Sequence, residues 1–208
     1  ELLTTMLQKL EAPAARFDTL ERYYRGTQPL AFLAPEARAA LGDRFGRMAS
    51  NVPRLAVTSL SERLRVTGFD GVDVWTDWIR NDLDQEAGTA HREALLLGSS
   101  YVIVWADQFG RPKVTVESPR QMTTLHDPGT RRITAALKRW ETPTTTEATL
   151  FGPDQIVRLR ANQTGATTQG FKIVETIDNP LGVVPVARLR NGDRILDDGV
   201  SEIDDLCP

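Results

Sequence analysis

A helical run that halts on a glycine and passes at once into an apolar strand constrains this chain more than any other feature. In residues 81–97, Ala87, Ala90, Ala94 and Leu97 recur at helical spacing with polar residues opposite. Asp82 or Asp84 is a natural start, because acids suit both the cap and the positive end of the helix dipole. Gly98 stands where a left-handed cap is wanted. After Ser99-Ser100 comes Tyr101-Val102-Ile103-Val104-Trp105, apolar on both sides, which predicts a strand buried on both faces. The expected core is therefore Leu97, Val102, Val104 and Trp105, with Leu97 packed beneath the strand. On that reading Val104→Asp buries an unpaired charge and unfolds the domain.

The chain before this point reads as helical. Leu3, Leu7 and Leu10, then Phe17, Leu20 and Tyr24, form apolar stripes broken at Pro13, which predicts two short helices or one kinked helix ended by Gly26. Pro29 and Pro35 bracket a loop, and Pro35 opens a helix to about Met48. Asn51 reads as an N-cap for a helix with Val52, Ala56, Leu60 and Leu64 marking one apolar face. A short strand is expected over residues 66–69, then a turn at Asp70-Gly71 and a short helix carrying Trp75, Trp78 and Ile79.

After the central strand the pattern turns to hairpins. Residues 107–112 form a loop around Gly110, and Val114 and Val116 alternate with Thr115 and Glu117 as in a half-exposed strand. A β-ribbon flanks Asp127-Pro128-Gly129. Strands follow near residues 149–151, 155–159 and 171–177, with a polar, mobile loop over 161–170. Pro185 within Val183-Val184-Pro185-Val186 argues for an edge strand, and Ser201-Glu202-Ile203-Asp204 resembles a capping box that opens a helix. Element order gives an α+β fold: N-terminal helices, then a mainly antiparallel sheet with an internal helix. The expected division is a helical segment over 1–64, an α+β core over 65–200 and the start of a helix over 201–208.

Composition removes several classes of function. A net charge of −3 supplies no global basic field for phosphates. The lone Cys207 excludes a disulfide framework and suits a reducing compartment. No apolar run approaches the ~20 residues of a membrane span, and no signal peptide opens the chain. The start at Glu1 and the end at Pro208 both suggest a trimmed chain.

A search for chemistry yields no catalytic residue, no metal ligand set and no cofactor site. His91 falls in mid-helix and His126 at a turn, without metal-ligand spacing. The segment 165–172 comes near a phosphate loop, but Phe171 separates Gly170 from Lys172, and Ile173 replaces the Ser or Thr that would reach magnesium. Asp82 and Asp84, Asp197 and Asp198, and Asp204 and Asp205 lack the spacing of a calcium loop and read as caps and solubilising charges. Gly98-Ser99-Ser100 follows a helix and precedes a strand, the reverse of a nucleophile elbow. Arg44, Arg47 and Arg54 could form a local patch, but acids interleave with most of the basic residues. Trp75, Trp78, Trp105 and Trp140 read as core or interface anchors.

Several stretches, in order, resemble phage portal proteins of the actinobacteriophage branch of the long-tailed phage family. They are Tyr23-Tyr24-Arg25-Gly26; Asn51-Val52-Pro53-Arg54 through Ser61-Glu62-Arg63-Leu64 and Gly68-Phe69; Asn81-Asp82-Leu83-Asp84; and Ala94-Leu95-Leu96-Leu97-Gly98-Ser99-Ser100-Tyr101. Glu117-Ser118-Pro119, Ala136-Leu137-Lys138-Arg139-Trp140, Asn179-Pro180-Leu181-Gly182 and Ser201-Glu202-Ile203 continue the series.

The resemblance implies a non-enzymatic virion component: a subunit of a dodecameric ring at one capsid vertex. DNA enters through the ring during packaging and leaves through it at infection. Implied partners are other portal subunits, terminase, capsid and scaffolding proteins, a neck or adaptor protein, and double-stranded DNA held without sequence specificity. No membrane is involved. The implied location is the virion, and the host bacterial cytoplasm during assembly. The chain is shorter than a portal subunit and would cover the wing, leading from residue 201 towards a missing stem, clip and crown. The alternatives are a prophage nucleic-acid-binding or DNA-processing protein and a plain interaction domain.

Overall fold

The computed structural model describes residues 1–28, 51–192, 194–195 and 198–207. The fold is α+β, with helices leading and two antiparallel sheets following. Helices α1 (Leu2–Glu11) and α2 (Ala14–Arg25) are separate, because Pro13 lacks the N–H that a continuous helix needs. Gly26 ends α2 at φ 70°. The expected loop at Pro29 and Pro35 and the helix to Met48 lie outside the described residues.

Helix α3 (Val52–Ser61) opens on Asn51, whose Oδ1 accepts from the Arg54 N–H at 3.1 Å while its Nδ2 donates to the Tyr24 carbonyl at 3.0 Å. That second bond ties α3 to the end of α2 and sets its roll. The buried side is Pro53, Val57 and Ser61, whereas Val52, Leu60 and Leu64 are exposed. The expected face is thus displaced by one residue, about 100° around the axis. Residues 66–69 pair with no strand among the described residues. Helix α4 (Trp75–Arg80) forms where the tryptophan spacing placed it.

Helix α5 (Leu83–Leu97) feeds β1 (Ser99–Ala106) through Gly98 at φ 85°. Asp82 occupies the N-cap at φ 54°, but its side chain makes no capping bond. Gly98 answers two demands. It reverses the chain, and a Cβ there would stand 2.8 Å from the Gly199 carbonyl carbon. The Asn191 N–H donates to the Gly98 carbonyl at 2.9 Å and the Glu202 N–H to the Leu95 carbonyl at 2.9 Å, satisfying acceptors at the helix end.

Strand β1 is the centre of a three-stranded sheet, between β2 (Pro112–Glu117) and β8 (Val186–Arg190). Pro185 stands just ahead of β8, which is an edge strand as its proline suggested, and its carbonyl accepts from the Val104 N–H at 3.0 Å. The second sheet is a meander of β3 (Met122–His126), β4 (Ile133–Glu141), β5 (Thr146–Phe151), β6 (Gln155–Ala161) and β7 (Lys172–Asp178). The 161–170 loop, expected to be mobile, is pinned: the Thr146 hydroxyl donates to the Gln163 carbonyl at 2.9 Å and accepts from the Ala166 N–H at 3.1 Å.

Four layers result. Met6, Leu7 and Leu10 of α1 cover one face of the five-stranded sheet against Ala135, Leu137, Ala148 and Leu159. Its other face meets the three-stranded sheet through Met122, Ala136, Phe151 and Ile156 against Tyr101, Ile103 and Val186. Helix α5 lies beyond, held where the Ser100 hydroxyl donates to the Ala90 carbonyl at 2.8 Å. Phe17, Leu20 and Val57 pack on Leu95, Leu96 and Leu97 outside that. Ile203 and Cys207 close this helical cluster from the C-terminal side. Residues 204–206 form one turn of 3-10 helix, and Ser201 Oγ accepts from Ile203 rather than building a capping box.

The four residues expected in the core differ in burial. Leu97 is buried, but within the helical cluster rather than beneath β1. Trp105 is half-buried against the inter-sheet core and Val102 is half-buried on the other face. Val104 is 43 % exposed, so its expected burial is overturned. The face carrying Ser100, Val102 and Val104 grades from buried to exposed along the strand, because α5 covers it only from the Gly98 end.

Candidate functional site

A cleft of about 590 Å³ lies between the two sheets and is lined from both. The pairing register places its walls. On β4 and β5, Lys138 faces Thr149 and Trp140 faces Glu147; on β6, Arg158 and Arg160 continue the same row. The three-stranded sheet supplies Ile103, Trp105, Thr115 and Glu117 from paired positions on β1 and β2.

Glu117 is the most buried charge here, at 7 % exposure, which reverses the half-exposed alternation expected for β2. Its face looks into the cleft, while Val114 and Val116 turn the other way. The carboxylate accepts from Lys138 Nζ at 2.6 Å and from the Thr115 hydroxyl at 2.9 Å. Lys138 Nζ also lies 5.6 Å from the Trp140 ring centroid, a cation–π distance. Glu147 accepts from Arg160 Nε at 2.7 Å and Thr145 Oγ1 at 2.8 Å. Burial raises the Glu147 carboxyl, but those two bonds prevail and hold it below the usual range. A carboxylate kept ionised by its own cation is a weak proton acceptor. Arg158 pairs with Glu175 at 2.8 Å. The cleft is therefore lined by ion pairs, one of which, Glu117–Lys138, bridges the two sheets.

The other sequence candidates are dispersed. His91 is half-buried on α5 with Nδ1 enclosed and unpartnered. His126 ends β3, and burial, with Arg188 and Lys9 nearby, pushes its imidazole below the ordinary histidine range. The 165–172 segment joins two strands, so no helix N-terminus faces a phosphate there. Asp198 pairs with Arg188 at 2.7 Å and Asp204 with Arg16, while Asp197 lies outside the described residues. Among the described residues no three His, Cys, Asp or Glu side chains stand close enough to share a metal ion. Arg44 and Arg47 are outside the described residues, and Arg54 lies over the Tyr24 ring at 5.8 Å. Trp105 and Trp140 line the cleft, whereas Trp75 and Trp78 stack on the surface with Phe69.

Glu117, Glu147 and Arg160 were not singled out as a group by the sequence. Their convergence depends on strand register, and no local spacing encodes it.

No helix among the described residues is long and apolar enough to cross a membrane. A family model described as "Phage portal protein, SPP1 Gp6-like" matches residues 5–207. The chain is 32 % identical over 173 residues to the portal protein of Mycobacterium phage L5, covering 73 % of this chain and 34 % of that protein. It is likewise 32 % identical over 174 residues to the portal protein of Mycobacterium phage D29, with the same two coverages. The chain thus spans about a third of the length of the curated relatives it matches.

Proposed function

From the premise that this chain belongs to the SPP1 Gp6-like phage portal family, we propose that it is the wing portion of a portal subunit with a structural, non-enzymatic role. The family match across residues 5–207 carries this reading. Residues 1–64 form the helical part of the wing and 65–200 its α+β core, and 201–208 lead towards the rest of the subunit. The complete subunit forms a dodecameric ring at one capsid vertex. Terminase drives DNA inward through the ring, and the DNA leaves the same way at infection. Capsid and scaffolding proteins meet the ring during assembly in the host cytoplasm, and a neck or adaptor protein completes it in the virion.

The physics of a conduit is compatible with the assignment. A sliding duplex is braked by every phosphate contact, and the net charge here is −3. The Glu117–Lys138 pair ties one sheet to the other, and Glu147–Arg160 joins β5 to β6 within the five-stranded sheet, so these cleft cations are already paired.

The test is to delete the gene from the phage or prophage that carries it and to label wild-type particles with antibody against this chain. Label at a single vertex, and loss of DNA-filled heads on deletion, are expected. DNA-filled heads in the deletion strain would overturn the reading. Duplex binding that falls steeply with salt would instead favour a nucleic-acid-binding module.

A further inference from the structure

Nearly half of the exposed large hydrophobic side chains among the described residues fall within residues 52–79. Concentration of that kind marks an interaction surface. Its centre is aromatic: Phe69 meets Trp78 edge-on at 5.3 Å, and Trp75 lies nearly parallel to Trp78 at 6.4 Å. Trp75 is still 43 % exposed and Phe69 42 %.

Beside this trio is a notch of about 340 Å³, bounded by the end of α3 and by α5 and lined by Leu64, Trp75, Trp78, Ala87 and Gly88. Gly88 lies in the interior of α5, where glycine costs about 1 kcal/mol relative to alanine. A Cβ at Gly88 would meet nothing within 4 Å. Among the described residues no contact requires the glycine, so its effect is to keep the notch open. Glu62, Asp84, Arg65 and Arg92 balance one another in the wall. The surroundings are acidic: residues 70–86 carry Asp70, Asp73, Asp77, Asp82, Asp84 and Glu86 against Arg80 alone.

A complementary surface exists on the same chain. Strand β7 is the outer edge of the five-stranded sheet, with an open row of backbone groups. It presents Ile173 at 67 % and Val174 at 55 % exposure beside Lys172. Glu175 of the same strand is paired with Arg158 at 2.8 Å and Asp178 lies at its far end, so the charge beside the apolar pair is Lys172, which suits an aromatic notch with an acidic rim. Notch and strand are different patches, so their union is head to tail, the geometry that generates rings.

We propose that the notch at Gly88, Trp75 and Trp78 receives the β7 edge around Ile173 from a second copy of this chain. This rests on the reading of the chain as part of a ring subunit, and it names the contact.

Sedimentation velocity of the 208-residue chain over a concentration series tests it, with Gly88→Leu and Ile173→Lys as variants. The wild-type chain should associate weakly and reversibly. Gly88→Leu fills open space with a better helix former, so its melting temperature should stay level or rise while association weakens at least about tenfold, a hot-spot loss. Ile173→Lys should weaken association to a similar degree. Each variant keeps one intact patch, so an equimolar mixture should recover dimers and nothing larger. A wild-type chain that stays monomeric at every concentration would overturn the contact. So would Gly88→Leu associating like wild type, or a mixture that forms no dimers. A drop in the melting temperature of Gly88→Leu with association unchanged would mean that the notch is filled from within the chain, and would also overturn it. None of these failures touches the portal reading, which stands or falls on vertex labelling and the deletion phenotype.

Discussion

Val104 shows how far a single position can depart from its neighbours. It lies in the central strand between two paired strands, yet its side chain is 43 % exposed, while adjacent Ile103 is 9 % exposed. Val104→Asp should therefore lower stability by about 1 kcal/mol, the scale of strand propensity, and leave a cooperative melt. Ile103→Asp places the same charge between the sheets and should abolish that melt. Circular dichroism melts of the two variants separate the faces of β1. His126 makes a second residue-scale prediction. Burial, with Arg188 and Lys9, depresses its pKa in the folded chain. The unfolded chain then binds a proton first as pH falls through the ordinary histidine range near 6.5. Stability should fall with pH from that point until the depressed folded pKa is passed. His126→Gln should flatten part of that slope in melting temperatures taken between pH 7 and 5.

At the scale of elements, the sequence showed whatever is written into neighbouring residues. Pro13, Gly26, Asn51 and Gly98 mark helix ends by backbone chemistry that acts within a few residues, and each stands where expected. The hairpins at Gly110 and at Asp127-Pro128-Gly129 are similarly local. Helix faces and strand faces are set by partners distant in sequence. The roll of α3 follows from Asn51 bonding back to Tyr24, so the apolar stripe Val52, Leu60 and Leu64 points outward despite its periodicity. Glu117 sits inside because Lys138, twenty-one residues later, stands across the cleft to receive it. The strand expected at 66–69 failed for a related reason: β-propensity without a neighbouring edge gives extended chain and no ladder. The candidate cleft was thus the least legible part, being made wholly of register between strands.

At the scale of the molecule, the two ends of the chain secure the layers laid down between them. Helix α1 covers the five-stranded sheet, and the C-terminal segment returns to the junction of α5 and β1. Ile203 is fully buried there among Phe17, Leu20, Val57 and Leu95. Cys207 is buried beside it, and burial pushes its thiol up, which slows attack by thiol reagents. Two arrangements would give these contacts. The segment could be integral to the cooperative unit, or it could be laid over a helical cluster that is stable without it. The Leu95 carbonyl argues for the first, because it loses its donor, the Glu202 N–H, if the segment leaves. Ile203→Ala should then cost about 3 kcal/mol, as for other buried large-to-small changes. The urea midpoint read by tryptophan fluorescence should fall by that free energy divided by the slope m, on the order of 1–2 M. The labelling rate of Cys207 in native buffer should rise on the order of a hundredfold, the same free energy seen kinetically. Faster labelling with an unmoved midpoint would show that the segment detaches alone, and that α5 ends without needing it.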